Sequence, residues 1–69
     1  MTGQHNRARI VARLARLIAM CQSHRYLPTL EELSGQLQVN PRTIRRDLNA
    51  IEGAGIPVPP RLDQYREVA

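Results

Sequence analysis

Phenylalanine, tryptophan and lysine are missing from these 69 residues, and cysteine occurs once. With only Tyr26 and Tyr65 as aromatics, base stacking on single strands or RNA loops is poorly supported. The core has to come from Ala, Leu, Ile and Val, in a chain near the size at which one core is marginal. That argues for one domain and against a sizeable ligand pocket or a buried catalytic cleft. Cys21 has no partner for an internal disulfide, so a cytoplasmic setting is expected. No apolar run approaches a membrane span, and the longest near the N-terminus, residues 17–21, is too short for a signal-peptide core. Also missing are a nucleophile–base pair, a carboxylate pair, a phosphate-cradling loop and a cluster at metal-ligand spacing. Neither an enzyme nor a cofactor, metal or small-molecule site is therefore expected. His5 and His24 are assigned no role.

What is present is arginine. All basic side chains are Arg, and the net charge is +4. Residues 1–25 hold five arginines and no acid. Glu31 and Glu32 follow, and then Arg42, Arg45 and Arg46 lie together against Asp47 alone. Positive charge concentrated on two segments is the pattern of an electrostatic footprint. The first twenty residues, Arg-rich, acid-free and amphipathic, also fit a mitochondrial transit peptide. Removing them, however, would strip the rest of its largest apolar face.

Residues 1–6 read as a flexible leader. From Arg7 to about Ser23 the spacing predicts a helix with Ile10, Val11, Leu14, Leu17, Ile18 and Cys21 on one stripe and Arg9, Arg13 and Arg16 on the other side. Cys21, on the apolar stripe, is expected to be a buried, inert thiol. Arg25-Tyr26-Leu27-Pro28 breaks the helix in extended form, because the residue before proline avoids the helical region. Thr29 to Glu32 is a capping box that opens a second helix over about 30–38, with Leu30, Leu33 and Leu37 inward. Gly35 inside it costs roughly 1 kcal/mol against alanine. It marks either close approach to another helix or simple tolerance.

The stretch from Asn40 to Ile51 carries the function. Asn40 can cap, and Pro41 fits the first helical position. Val39 and Ile44 are spaced for a hydrophobic staple. Ile44, Leu48 and Ile51 share one face of a helix over about 41–53. At about 100° per residue, Arg42, Arg46 and Asn49 fall opposite them, with Thr43 and Arg45 on the flanks. A face of forked cationic donors and an amide suits phosphates, guanine edges and adenine edges; the bland alternative is a solvated charged face. A short capped helix, a turn of about three residues and a basic helix of about a dozen amount to a helix-turn-helix, and the first helix supplies the third side of its core. Gly53 or Gly55 ends the basic helix. Residues 56–58 and 64–68 then read as a two-stranded wing with Arg61 at its tip.

The expected fold is thus mainly α: a three-helix winged helix-turn-helix over residues 7–69, with a short β-wing over about 56–68. At this point the chain resembles the winged helix-turn-helix of DeoR-type repressors and of the N-terminal domain of WYL-domain regulators. Their T-x-x-E-L helix, valine-plus-cap turn, R-T-[IV]-x-R-D-[IL] run and glycine-isoleucine-proline-valine exit correspond here to Thr29–Leu33, Val39-Asn40, Arg42–Leu48 and Gly55–Val58. The run from Arg42 to Leu48 is the specific part. The second wing strand departs from the family, with Asp63-Gln64 before Tyr65 and Glu67 where an apolar residue is usual.

The resemblance implies binding of double-stranded DNA with the third helix in the major groove, Arg42, Thr43, Arg45 and Arg46 reaching bases or phosphates. The helical count adds Asn49 at the groove edge, and Asn40 and Arg61 complete the expected set. Arginines of the first helix are expected to touch backbone, giving register without sequence information. One recognition helix covers few base pairs, so a homodimer is expected. The expected role is a small, nucleoid-associated transcriptional regulator. The reading from another class is a winged-helix interaction module that binds an acidic partner, since fold alone does not fix function.

Overall fold

The computed structural model describes residues 2–64, with side chains from Arg7 onward. Three helices follow one another: α1 (Thr2–Ser23), α2 (Leu30–Leu37) and α3 (Pro41–Gly53). The helix begins at Thr2, so residues 2–6 are helical where a flexible leader was expected; Met1 lies outside the described residues. No proline interrupts this stretch, and each added residue gains a backbone hydrogen bond once the helix is nucleated. At its other end, Ser23 Oγ donates to the Ala19 carbonyl at 2.8 Å. The His24 backbone N–H donates to the Met20 carbonyl at 2.9 Å, and His24 Nδ1 lies 3.0 Å from the same oxygen.

Side-chain caps and backbone turns close the remaining helix ends. Thr29 Oγ1 accepts from the Glu32 N–H at 3.1 Å, one half of the capping box. Past α2, Gln38 takes the left-handed conformation (φ 56°), and the turn is locked from both directions. The Val39 N–H donates to the Ser34 carbonyl at 3.2 Å, while the Ser34 hydroxyl donates to the Val39 carbonyl. α3 ends in a Schellman motif, with Gly55 at φ 90° as the left-handed residue. Its N–H donates to the Glu52 carbonyl and that of Ile56 to the Ile51 carbonyl.

The core lies where the three helices meet: Leu17 and Cys21 from α1, Leu33 from α2, and Ile44, Leu48 and Ile51 from α3, joined by Leu27 from the linker. All seven are buried. Burial pushes the Cys21 thiol pKa up, which keeps it protonated and slows its reactions.

Two expectations fail here. The apolar stripe of α1 continues beyond the core, leaving Ile10 43% and Val11 64% exposed. α1 has 22 residues against 8 and 13 in its partners, so its first turns overhang them. The β-wing is the second: no strand occurs among the described residues, and residues 65–68 of its returning arm lie outside them.

The segment after α3 is extended and pairs instead with the α1–α2 linker through one parallel bridge, Leu27 to Arg61. There the Leu27 N–H donates to the Pro60 carbonyl and the Leu62 N–H to the Leu27 carbonyl, each at 2.9 Å. Chemistry explains the difference. Pro57, Pro59 and Pro60 have no N–H to give a ladder. Residues 62–64 then turn helical, with Gln64 Oε1 accepting from the Arg61 N–H at 3.0 Å as in a capping box.

Gly35 is exposed, and a Cβ added there would meet nothing within 4 Å; tolerance, not close packing, explains this glycine. Gly35→Ala is therefore expected to stabilise the fold by about 1 kcal/mol in chemical denaturation. A loss of stability would mean that the space beside α2 is occupied.

Candidate nucleic-acid interface

α3 owes its two faces to its first turn. The Asn40 side chain accepts from the Arg42 N–H at 2.8 Å, and its backbone carbonyl accepts from Thr43 and Ile44 at 2.9 and 3.2 Å. Val39, before this cap, packs on the core cluster that contains Ile44, as a hydrophobic staple would place it. With the entry fixed and Ile44, Leu48 and Ile51 buried, the opposite side faces water. Arg42, Arg45, Arg46 and Asn49 are all exposed, as is Asn40, while Thr43 is half-buried. The guanidinium groups of Arg42, Arg45 and Arg46 make no hydrogen bond or ion pair with any described residue. Beside them, Arg42 and Arg45 line a shallow recess of about 220 Å³ with Leu30 and Pro41 at the start of α2 and α3.

Six of the seven expected site residues thus sit on one helix and its cap. Arg61 does not join them. Expected at an exposed wing tip, it is half-buried on the segment that pairs with Leu27, and its Nε donates to Asp63 at 3.1 Å.

The periodicity also put Arg13 on the solvent side of α1. Its Nε instead donates to Asp47 Oδ2 at 2.5 Å and its Nη2 reaches Oδ1 at 3.4 Å, with side-chain exposures of 16% and 10%. The signal was there in the acid: Asp47 is three residues after Ile44 and four before Ile51, on the apolar stripe, where a carboxylate needs a partner. This pairing has an electrostatic consequence. Asp47 is the only acid between Asn40 and Ile51, and its charge is taken up by Arg13 on the inner side. Arg42, Arg45 and Arg46 therefore keep their charge on the outer side with no described acid paired to them, Glu52 being the one exposed acid of α3.

Chemically, this face offers three planar guanidinium forks and one amide on a rigid rod. Arginine forks match phosphate oxygens and the O6/N7 edge of guanine, and asparagine matches the N6/N7 edge of adenine. Among the described residues no group of acids, His or Cys could hold a metal ion, and no helix is long and apolar enough to cross a membrane.

The ion pair yields a stability test. Asp47→Ala leaves a largely buried guanidinium without a counter-charge and is expected to cost about 2–4 kcal/mol. Replacing both partners with apolar residues (R13M/D47L) should recover most of that loss. Unfolding in denaturant measures both, and an Asp47→Ala chain within about 0.5 kcal/mol of the parent would show that the pair does not hold the interface.

Among known proteins, the family model described as a DeoR-like helix-turn-helix domain matches residues 13–58. Neither the curated proteins nor the solved structures yield a match.

Proposed function

We propose that this chain, which belongs to the DeoR-like helix-turn-helix domain family, is a sequence-selective reader of double-stranded DNA that places α3 in the major groove. The family is a DNA-binding one associated with transcription regulation, and not a family of enzymes. The observation that carries the finer reading is the outer face of α3, where Arg42, Arg45, Arg46 and Asn49 are exposed opposite the buried Ile44, Leu48 and Ile51 and no described acid pairs with the arginines. In this reading Arg45, Arg46 and Asn49 meet base edges. Arg42, at the helix start beside Asn40, meets phosphate, and Thr43 contributes from the flank. Arg61 is left to its ion pair with Asp63. Two copies acting together supply the length of site that one helix cannot cover. The setting is the cytoplasm, on the nucleoid, as a regulator of transcription.

The test is selection from a random-sequence duplex library at two salt concentrations, with an R42A/R45A/R46A variant alongside. A motif enriched by the parent and lost in the variant is the expected result, and paired half-sites would give the dimer spacing. With about five phosphates neutralised, log affinity should fall against log salt with a slope near −4.5. Uniform binding without a motif would contradict selective reading. No binding at low salt would contradict DNA binding altogether and turn the arginine face into a docking surface for an acidic protein.

A further inference from the structure

A second cationic surface lies beside α3. A groove of about 360 Å³ runs between α1 and the turn that leaves α2, with Arg9, Ala12, Arg13 and Arg16 on one wall and Gln38 and Val39 on the other. The three arginines fall at i, i+4 and i+7, on one side of α1, but they do different work. Arg13 is turned to Asp47. The side chains of Arg9 and Arg16 are exposed and make no hydrogen bond or ion pair with any described residue. Two turns of helix separate them, roughly 10 Å along the axis. Ala12, between them, leaves the groove open. No acid lines it, and no acid occurs anywhere in residues 1–25.

Position gives this groove its meaning. Gln38-Val39 runs directly into Asn40 and the basic first turn of α3, so one wall of the groove continues along the chain into α3. The turn between them is held by the reciprocal Ser34–Val39 hydrogen bonds and by Val39 packing on the core. The junction between the groove wall and α3 is thereby fixed before any ligand arrives.

We propose that Arg9 and Arg16 form a phosphate clamp on α1, gripping the sugar–phosphate backbone of the same duplex that α3 reads. This inference rests on the DNA-binding reading of α3 and adds to it a site with a different job. Guanidinium forks facing an open, acid-free groove bind phosphate oxygens bidentately, and such contacts fix register and strengthen binding without distinguishing sequences. Arg13, tied to Asp47, positions α1 against α3 and is not part of the clamp.

The experiment compares the parent, R9Q/R16Q and R7Q/R25Q on the motif duplex over a range of salt. R7Q/R25Q removes the same charge from exposed α1-side positions that do not line the groove. For R9Q/R16Q the expected result is weaker binding, a salt slope shallower by about 1.8, and an unchanged preferred motif. R7Q/R25Q should keep most of the parental slope. Parental binding with an undiminished slope in R9Q/R16Q would overturn the clamp while leaving the α3 reading intact. So would an equal loss in R7Q/R25Q, because the effect would then be one of net charge. A changed motif in R9Q/R16Q would also overturn it. No duplex binding by the parent at low salt would remove the α3 reading and the clamp together. Inorganic phosphate, titrated over the same salt range, separates the two sources of the anion. A backbone clamp predicts no saturable binding of the free ion at millimolar concentration, and tight binding of it would overturn the assignment to DNA.

Discussion

The ion pair between Arg13 and Asp47 is the contact on which the rest of the molecule depends. A helix built to carry three arginines outward also carries a carboxylate inward, at a position otherwise suited to a leucine. Left alone there, Asp47 would oppose burial of the face that holds α3 in place. Paired with Arg13 it does two things at once. It joins α1 to α3 by a directional, two-point contact that hydrophobic packing alone does not supply. It also turns the carboxylate that lies among the arginines to the inner side, so that Arg42, Arg45 and Arg46 face outward unpaired. The fold and the candidate binding face have a common cause in this respect.

Around that contact the core is small and aliphatic, and it borrows from the loops. Leu27, fully buried, comes from the linker between α1 and α2, and its backbone is held on both sides by the segment that follows α3. Three prolines in four residues carry no N–H for a ladder, and no strand occurs among the described residues. The C-terminal segment serves here as a brace for the α1–α2 corner. The consequence reaches the site: Arg61 belongs to the brace, and the basic surface is made by α3 and α1.

Much of this was legible in the sequence because it is local. Thr29 to Glu32 and Asn40-Pro41 announce helix starts through side chains that satisfy backbone N–H groups within three residues. The 3.6-residue period of Ile44, Leu48 and Ile51 correctly turned Arg42, Arg46 and Asn49 to solvent. What the period could not give is where a helix outruns its partners, and so Ile10 and Val11 were placed inward although both are exposed. Nor could it give pairings across 34 residues, such as Arg13 with Asp47; only the presence of a carboxylate on an apolar stripe hinted that a cation must come to it. The wing failed for a third reason. Residues 56–58 have strand-like composition, but Pro57 within them and Pro59-Pro60 after them carry no N–H to give a ladder. Whether α3 enters a major groove is a matter of the complex, which no periodicity encodes.

The most direct measurement is a titration of the isotope-labelled chain with its selected duplex, followed residue by residue in nuclear magnetic resonance spectra at about 0.1 M salt. If the outer side of α3 is the DNA-reading face, amides from Asn40 to Asn49 and the arginine side chains of that segment will shift most. Those of the brace around Leu27 and Leu62 will stay near their free positions. Large shifts confined to the exposed apolar end of α1, with α3 unmoved, would contradict the account.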